Sequence, residues 1–151
     1  MDFKKLIKKF ETKFDKKKIA ALIKKIDSLM LNGSDLAYIG DAYYELYIRT
    51  YLISKGIHKP NELHSKCTKY VCTKSHALIA SEIVSEFTPR ELDVFHRGKN
   101  YNYKHTSKSA NLPEYLLSSG FEAVIGYLFL SQNEKRLNEI LAMAISIIER
   151  N

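Results

Sequence analysis

A chain of 151 residues has room for one domain with a real core and little beyond it. Apolar residues make up 45% and charged residues 27%, too rich in aliphatics and aromatics for a disordered polypeptide. The 24 Lys and Arg against 17 Asp and Glu leave a formal charge of +7, which favours a polyanionic partner without naming one.

No window approaches the roughly 18 uninterrupted apolar residues of a membrane span. The lysine-rich start also lacks the apolar stretch and small-residue cleavage site of a signal peptide. The expectation is a cytoplasmic protein with no membrane partner.

The first thirty residues place Phe3, Leu6, Ile7, Phe10 and Phe14, then Ile19, Leu22, Ile23, Ile26 and Met30, at three-and-four spacing with lysines between. That pattern predicts one or two basic amphipathic helices. Residues 1–34 read as an N-terminal extension suited to RNA, to an acidic membrane surface or to capping the core, the last being the simplest use. No function is assigned to them. Asn32-Gly-Ser-Asp35 supplies N-cap residues for a long helix from about Leu36 to Ser54, closed by Gly56.

Pro60 opens a helical stretch reaching about Phe87, predicted as two shorter helices broken near Thr73. Thr88-Pro89 pairs a cap with a first-turn proline, and the helix it starts is predicted to stop near Gly98. Asn100 to Asn111 reads as an exposed loop. Pro113 begins a helix through Glu122 to about Leu130, and Glu134 to Glu149 forms a last amphipathic one. The fold class is therefore all-α, with no strand and no internal repeat. Cys67 and Cys72 lie five apart, and neighbouring His64 and His76 complete no familiar zinc spacing, so both cysteines read as reduced structural thiols.

Two segments carry chemistry. Leu36-Ala-Tyr-Ile-Gly-Asp-Ala-Tyr-Tyr-Glu45 and Ser118-Ser-Gly-Phe-Glu-Ala-Val-Ile-Gly126 each put one carboxylate, Asp41 or Glu122, among small and apolar helix residues. An ionised carboxylate is costly to bury without a counter-charge, so two on apolar helical faces suggest a shared cation. Gly40 and Ala42 on one helix, with Ala123 and Gly126 on the other, permit the close crossing that would bring Asp41 and Glu122 together. Oxygen ligands suit Mg²⁺, which takes one or two protein carboxylates plus substrate phosphate oxygens, with water as the nucleophile. Against this, a lone helical Asp or Glu is ordinarily a solvated or ion-paired residue. Glu45 shares a face with Asp41 and stands four residues before Arg49, so it reads as a supporting residue paired with that arginine.

Ile39-Gly-Asp-Ala42 with Glu45, and Phe121-Glu-Ala-Val-Ile-Gly126, resemble the two signature helices of the ribonuclease III catalytic domain. The resemblance is closer still to the stand-alone Mini-ribonuclease III branch and covers the chain from roughly Asp35 to its end. Lys59-Pro-Asn-Glu-Leu-His64, Tyr70-Val-Cys-Thr-Lys-Ser75 and Arg97-Gly-Lys-Asn100 are further matching blocks. It implies that residues 35–151 form a helical, homodimeric endonuclease domain that cuts double-stranded RNA with Mg²⁺, leaving 5′-phosphate and 3′-hydroxyl ends. In the Mini branch it implies maturation of 23S ribosomal RNA precursor, with a ribosomal protein as a candidate helper. Asp41 matches the family's catalytic, metal-binding aspartate and Glu122 its glutamate. Full-length ribonuclease III also carries a glutamate four before the aspartate and an aspartate three before the glutamate, where this chain has Ala37 and Ser119. Mini enzymes resemble this chain in that simplification, which leaves the number of metal ions open.

The double-stranded-RNA-binding domain that follows in the larger enzymes has no counterpart in the sequence, so the catalytic domain itself is expected to hold RNA. Duplex RNA is recognised through shape, phosphates and 2′-hydroxyls. Arg97, Lys99, Lys104 and Lys108 are placed to meet phosphates, Asn100 and Asn102 to bond sugar or phosphate, and Gly98 to allow close approach. The bland reading of the same stretch is an ordinary solvated loop. Lys59, His64, Lys69 and Lys74 form a second scattered basic set, from which His64 is kept out of the catalytic residues. Leu36, Tyr38, Ile39 and Phe121 suit either a dimer interface or the core. The rival from another class is a non-catalytic RNA-binding or ribosome-assembly module on the same fold.

Overall fold

The computed structural model describes residues 16–27, 30–101 and 111–151. Contacts divide the chain into two units, Met1–Met30 and Leu31–Asn151. The first unit contains helix α1 (Lys16–Lys24), in which three lysines precede the apolar run Ile19 to Ile23 and Lys24 follows it.

Among the described residues of the second unit every secondary-structure element is a helix. Helices α2 (Gly33–Ser54), α3 (Pro60–Val71) and α4 (Thr73–Ile83) are followed by a 3-10 turn (Val84–Glu86), α5 (Pro89–Tyr101), α6 (Leu112–Leu130) and α7 (Glu134–Arg150). Local chemistry sets most of these limits. The Asn32 side chain accepts from the Asp35 amide to cap α2, and Gly56 leaves that helix with φ 87°, where a side chain would be strained. The break between α3 and α4 falls at Cys72, one residue before the predicted point, where the backbone turns extended.

Helix α6 is the centre of this unit and packs against α2, α4, α5 and α7. Ser118 to Leu130 is buried at ten positions, around nearly the whole circumference, as a helix surrounded by other helices must be. Leu36, Tyr44 and Ile48 from α2, Ile79 from α4, Phe121, Ile125 and Leu128 from α6, and Ile140 and Leu141 from α7 close the core. Burying each such side chain contributes about 1.5–3 kcal/mol.

The α2–α6 crossing brings the two backbones into contact. A Cβ on Gly40 would enter the Glu122 carbonyl, and one on Gly126 would enter that of Leu36. Gly98 differs from its predicted role. It neither ends α5, which continues to Tyr101, nor opens a surface to RNA, because it faces Ala123 and the Ser119 carbonyl and lets α5 lie close on α6. A glycine at a helix end and one at a helix crossing look alike in sequence.

A buried ion pair joins α5 to α7. Glu91, 3% exposed, accepts from Arg136 Nε at 2.8 Å and Nη2 at 3.0 Å. Its Oε2 also accepts from the Thr88 amide while the Thr88 hydroxyl accepts from the Glu91 amide, a reciprocal cap at the start of α5. Burial pushes the Glu91 pKa up, but the bonds from Arg136 and Thr88 outweigh it and hold the group below its ordinary 4.5. A lowered carboxyl pKa stabilises the fold fully above the unfolded-state value and ceases to do so as pH falls through the folded one. Glu91→Ala is expected to cost about 2–4 kcal/mol near neutral pH, read as a lower melting temperature. The difference from the parent protein should shrink below pH 4.5.

Candidate active site

Asp41 lies in the first half of α2, Glu122 in the middle of α6 and His76 in the first turns of α4. Because Gly40 seats α2 directly on the Glu122 backbone, the neighbouring aspartate arrives beside the glutamate. Ligand-capable atoms of Asp41, His76 and Glu122 all lie within 4.8 Å of one another. The structure thus brings Asp41 and Glu122 together and adds a histidine.

The three are unequally exposed. The His76 side chain is 1% exposed and that of Glu122 19%, while Asp41 faces solvent. Nδ1 of His76 lies 3.0 Å from Oε1 of Glu122, and the buried Ser118 hydroxyl donates to the same oxygen at 3.3 Å. Partial burial of the Asp41 carboxyl is the largest cause of a raised pKa there. The negative charge of Glu122 adds to it, Glu45 adds less, and His76 works the other way. An aspartate whose ionised form is opposed by burial and by a neighbouring carboxylate is a donor that a divalent cation would satisfy. Oxygen donors with an imidazole at hand fit a hard cation of the Mg²⁺ or Mn²⁺ kind.

The remaining predicted residues fall elsewhere. Glu45 is bound to Arg49 at 2.5 Å, and both line a cavity of about 390 Å³ between α2 and α3 with His64 and Cys67. Arg97 is half-buried and donates to the Leu31 carbonyl, tying the start of this unit to α5. The Lys99 ammonium sits 5.6 Å over the Phe95 ring, and Asn100 is exposed near the end of α5. Lys104 and Lys108, with Asn102, lie outside the described residues. Cys67 and Cys72 are free thiols.

Leu36 and Phe121, which suited either a core or an interface, are fully buried, whereas Tyr38 is 81% exposed. His76 was missed from sequence as a member of the site. It sits on a third helix whose register to the other two no local pattern encodes, and its only sequence context was an incomplete zinc spacing.

Residues 34–133 match the family of the Ribonuclease III domain. The chain belongs to the ribonuclease III family. It is 41% identical over 126 residues to a Mini-ribonuclease 3 of Streptococcus pneumoniae, covering 82% of this chain and 98% of that one. It is 42% identical over 121 residues to the Mini-ribonuclease 3 of Enterococcus faecalis, covering 79% and 92%. A crystal structure of a protein from Fusobacterium nucleatum superposes with a TM-score of 0.70 at 28% identity, over 78% of this chain and 93% of that one. Membership in the ribonuclease III family makes the chain an endoribonuclease, a hydrolase of double-stranded RNA. The all-α expectation stands with it. Among the described residues no helix is long and apolar enough to cross a membrane.

Proposed function

We propose that the chain is a Mg²⁺-dependent endoribonuclease that matures 23S ribosomal RNA precursor, with Asp41 and Glu122 as its catalytic and metal-binding residues. The convergence of Asp41, Glu122 and His76 within 4.8 Å carries this reading. A divalent cation held by the two carboxylates would activate water and offset the charge that develops at phosphorus. The side chains contribute position: α2 and α6, locked at Gly40 and Gly126, hold the acids at fixed separation, and Ser118 keeps Glu122 turned toward the site. Residues 35–151 act as the catalytic domain and residues 1–34 as an extension to it.

The working form is a homodimer, with one centre for each strand of a pseudo-symmetric duplex. Tyr38, Leu46 and Ile53 support this, because they leave 81%, 64% and 49% of their surfaces exposed along one face of α2. RNA is gripped by Lys99, Asn100, Lys104 and Lys108, while Arg97 braces the base of that segment through Leu31. Neutralising Lys99, Lys104 and Lys108 together is expected to weaken RNA binding and flatten its dependence on salt by up to about three phosphate contacts. An unchanged salt slope would remove the segment from the binding surface.

Matched double-stranded and single-stranded RNAs, incubated with the purified protein in Mg²⁺ or EDTA, test the whole reading. Metal-dependent cutting of the duplex alone, leaving 5′-phosphate ends, is the expected result. Binding without cutting by a folded dimer would favour a non-catalytic RNA-binding module instead.

A further inference from the structure

Two carboxylates are enough to hold a hard cation, so the buried imidazole beside them has no task in that scheme. His76 is buried. Its ring is wedged against Tyr44 and Phe121, with centroids 4.9 and 5.2 Å away, and those two rings meet each other edge-on at 5.3 Å. Three mutually packed rings leave the imidazole little freedom to turn. One nitrogen, Nδ1, faces Oε1 of Glu122, while Nε2 is buried and has no hydrogen-bond partner among the described residues.

That unpartnered nitrogen distinguishes two roles. A histidine that ligates metal through one nitrogen ordinarily donates its other N–H to an acceptor, which fixes the tautomer. Ligation through Nδ1 would place the proton on Nε2, stranding a buried donor. With the proton on Nδ1 instead, the imidazole donates to Glu122 and leaves only an idle lone pair facing the core. The Ser118 hydroxyl, 3.3 Å from the same Oε1, supplies a second donor. Both bonds meet one oxygen, so the other is left to carry ligation.

We propose that His76 is a positioning residue: its Nδ1–H, together with the Ser118 hydroxyl, pins Oε1 of Glu122 so that the remaining carboxylate oxygen is presented beside Asp41 for the divalent cation. This rests on the reading that Asp41 and Glu122 hold that cation. It gives α4, which adds no carboxylate to the site, a share with Ser118 of α6 in setting the glutamate's orientation.

Mn²⁺ binding to the full-length protein without RNA tests it, with affinity measured from the paramagnetic resonance of free Mn²⁺ and first-sphere nitrogen from spin-echo modulation of the bound ion. His76→Leu is expected to weaken binding about 10–100-fold. His76→Asn, whose amide nitrogen sits as many bonds from the backbone as Nδ1, should recover most of that loss. The parent protein should show no directly coordinated imidazole nitrogen. A strong nitrogen signal that disappears in His76→Leu would make His76 a ligand and overturn the proposal. Unchanged affinity in His76→Leu, or equal loss in the Leu and Asn variants, would overturn it as well. Should His76→Leu not fold, Ser118→Ala carries the affinity test, with a smaller loss expected and an unchanged affinity counting against the proposal.

Glu122→Gln separates the two levels. Loss of Mn²⁺ binding there but not in His76→Leu defeats this inference alone, whereas binding that survives Glu122→Gln defeats the carboxylate reading and this inference with it.

Discussion

Asp41→Asn and Glu122→Gln are each expected to reduce duplex cleavage about a thousandfold or more, equivalent to at least ~4 kcal/mol of lost transition-state stabilisation. Both substitutions keep the side-chain shape and remove the charge that a cation needs, so the helical circular-dichroism signal should be unchanged. Asp41→Asn makes a second, opposite prediction for stability. The raised pKa of Asp41, caused by partial burial and then by Glu122, means that the fold disfavours its ionised form. A group raised in this way contributes stability below its unfolded-state pKa and loses it as pH rises through the folded value. At neutral pH in EDTA the Asn variant should therefore melt no lower than the parent protein, and the difference should vanish in acid. A variant that loses activity together with its helical signal would assign Asp41 to the core instead of the chemistry.

Gly40→Ala is expected to be the most damaging single-methyl change in the molecule. The added Cβ would enter the Glu122 carbonyl, a backbone atom in the middle of the central helix that cannot swing away as a side chain can. Either α2 separates from α6 or the crossing angle changes. The cost should exceed the usual overpacking range, at about 3 kcal/mol or more. Ala has the higher helix propensity, by ~1 kcal/mol, so any destabilisation measures the crossing and not the helix itself. The same displacement moves Asp41 relative to Glu122, so protein that still folds should cut poorly even when saturated with metal. Chemical denaturation paired with cleavage kinetics checks both effects. A variant as stable and active as the parent would show that the helices do not touch at this point.

Much of the architecture was legible because helix limits are set by nearby residues. Asn32, Gly56, Pro60, Thr88 and Pro113 act over one turn of chain, and the helices they bound appear where those residues predict. Gly98 was misjudged for the complementary reason. Whether a glycine terminates a helix or lets two helices touch depends on what lies opposite, and here Ala123 and Ser119 lie opposite. Lys99 and Arg97 make the same point on the surface. Both are expected from sequence to meet phosphates, and no local pattern shows that one lies over Phe95 and the other is bonded to Leu31.

The sequence by itself determined that the protein is helical, that two carboxylates sit among small residues suited to a close crossing, and that it resembles ribonuclease III. Periodicity, caps and side-chain size are local properties, and the ordered motif blocks survive without any knowledge of their arrangement in space. Only the tertiary structure decided that Leu36 and Phe121 belong to the core while Tyr38 faces outward, and that His76 stands against Glu122. Those outcomes depend on the relative rotation of helices far apart in the chain, which packing sets and no short stretch of sequence records.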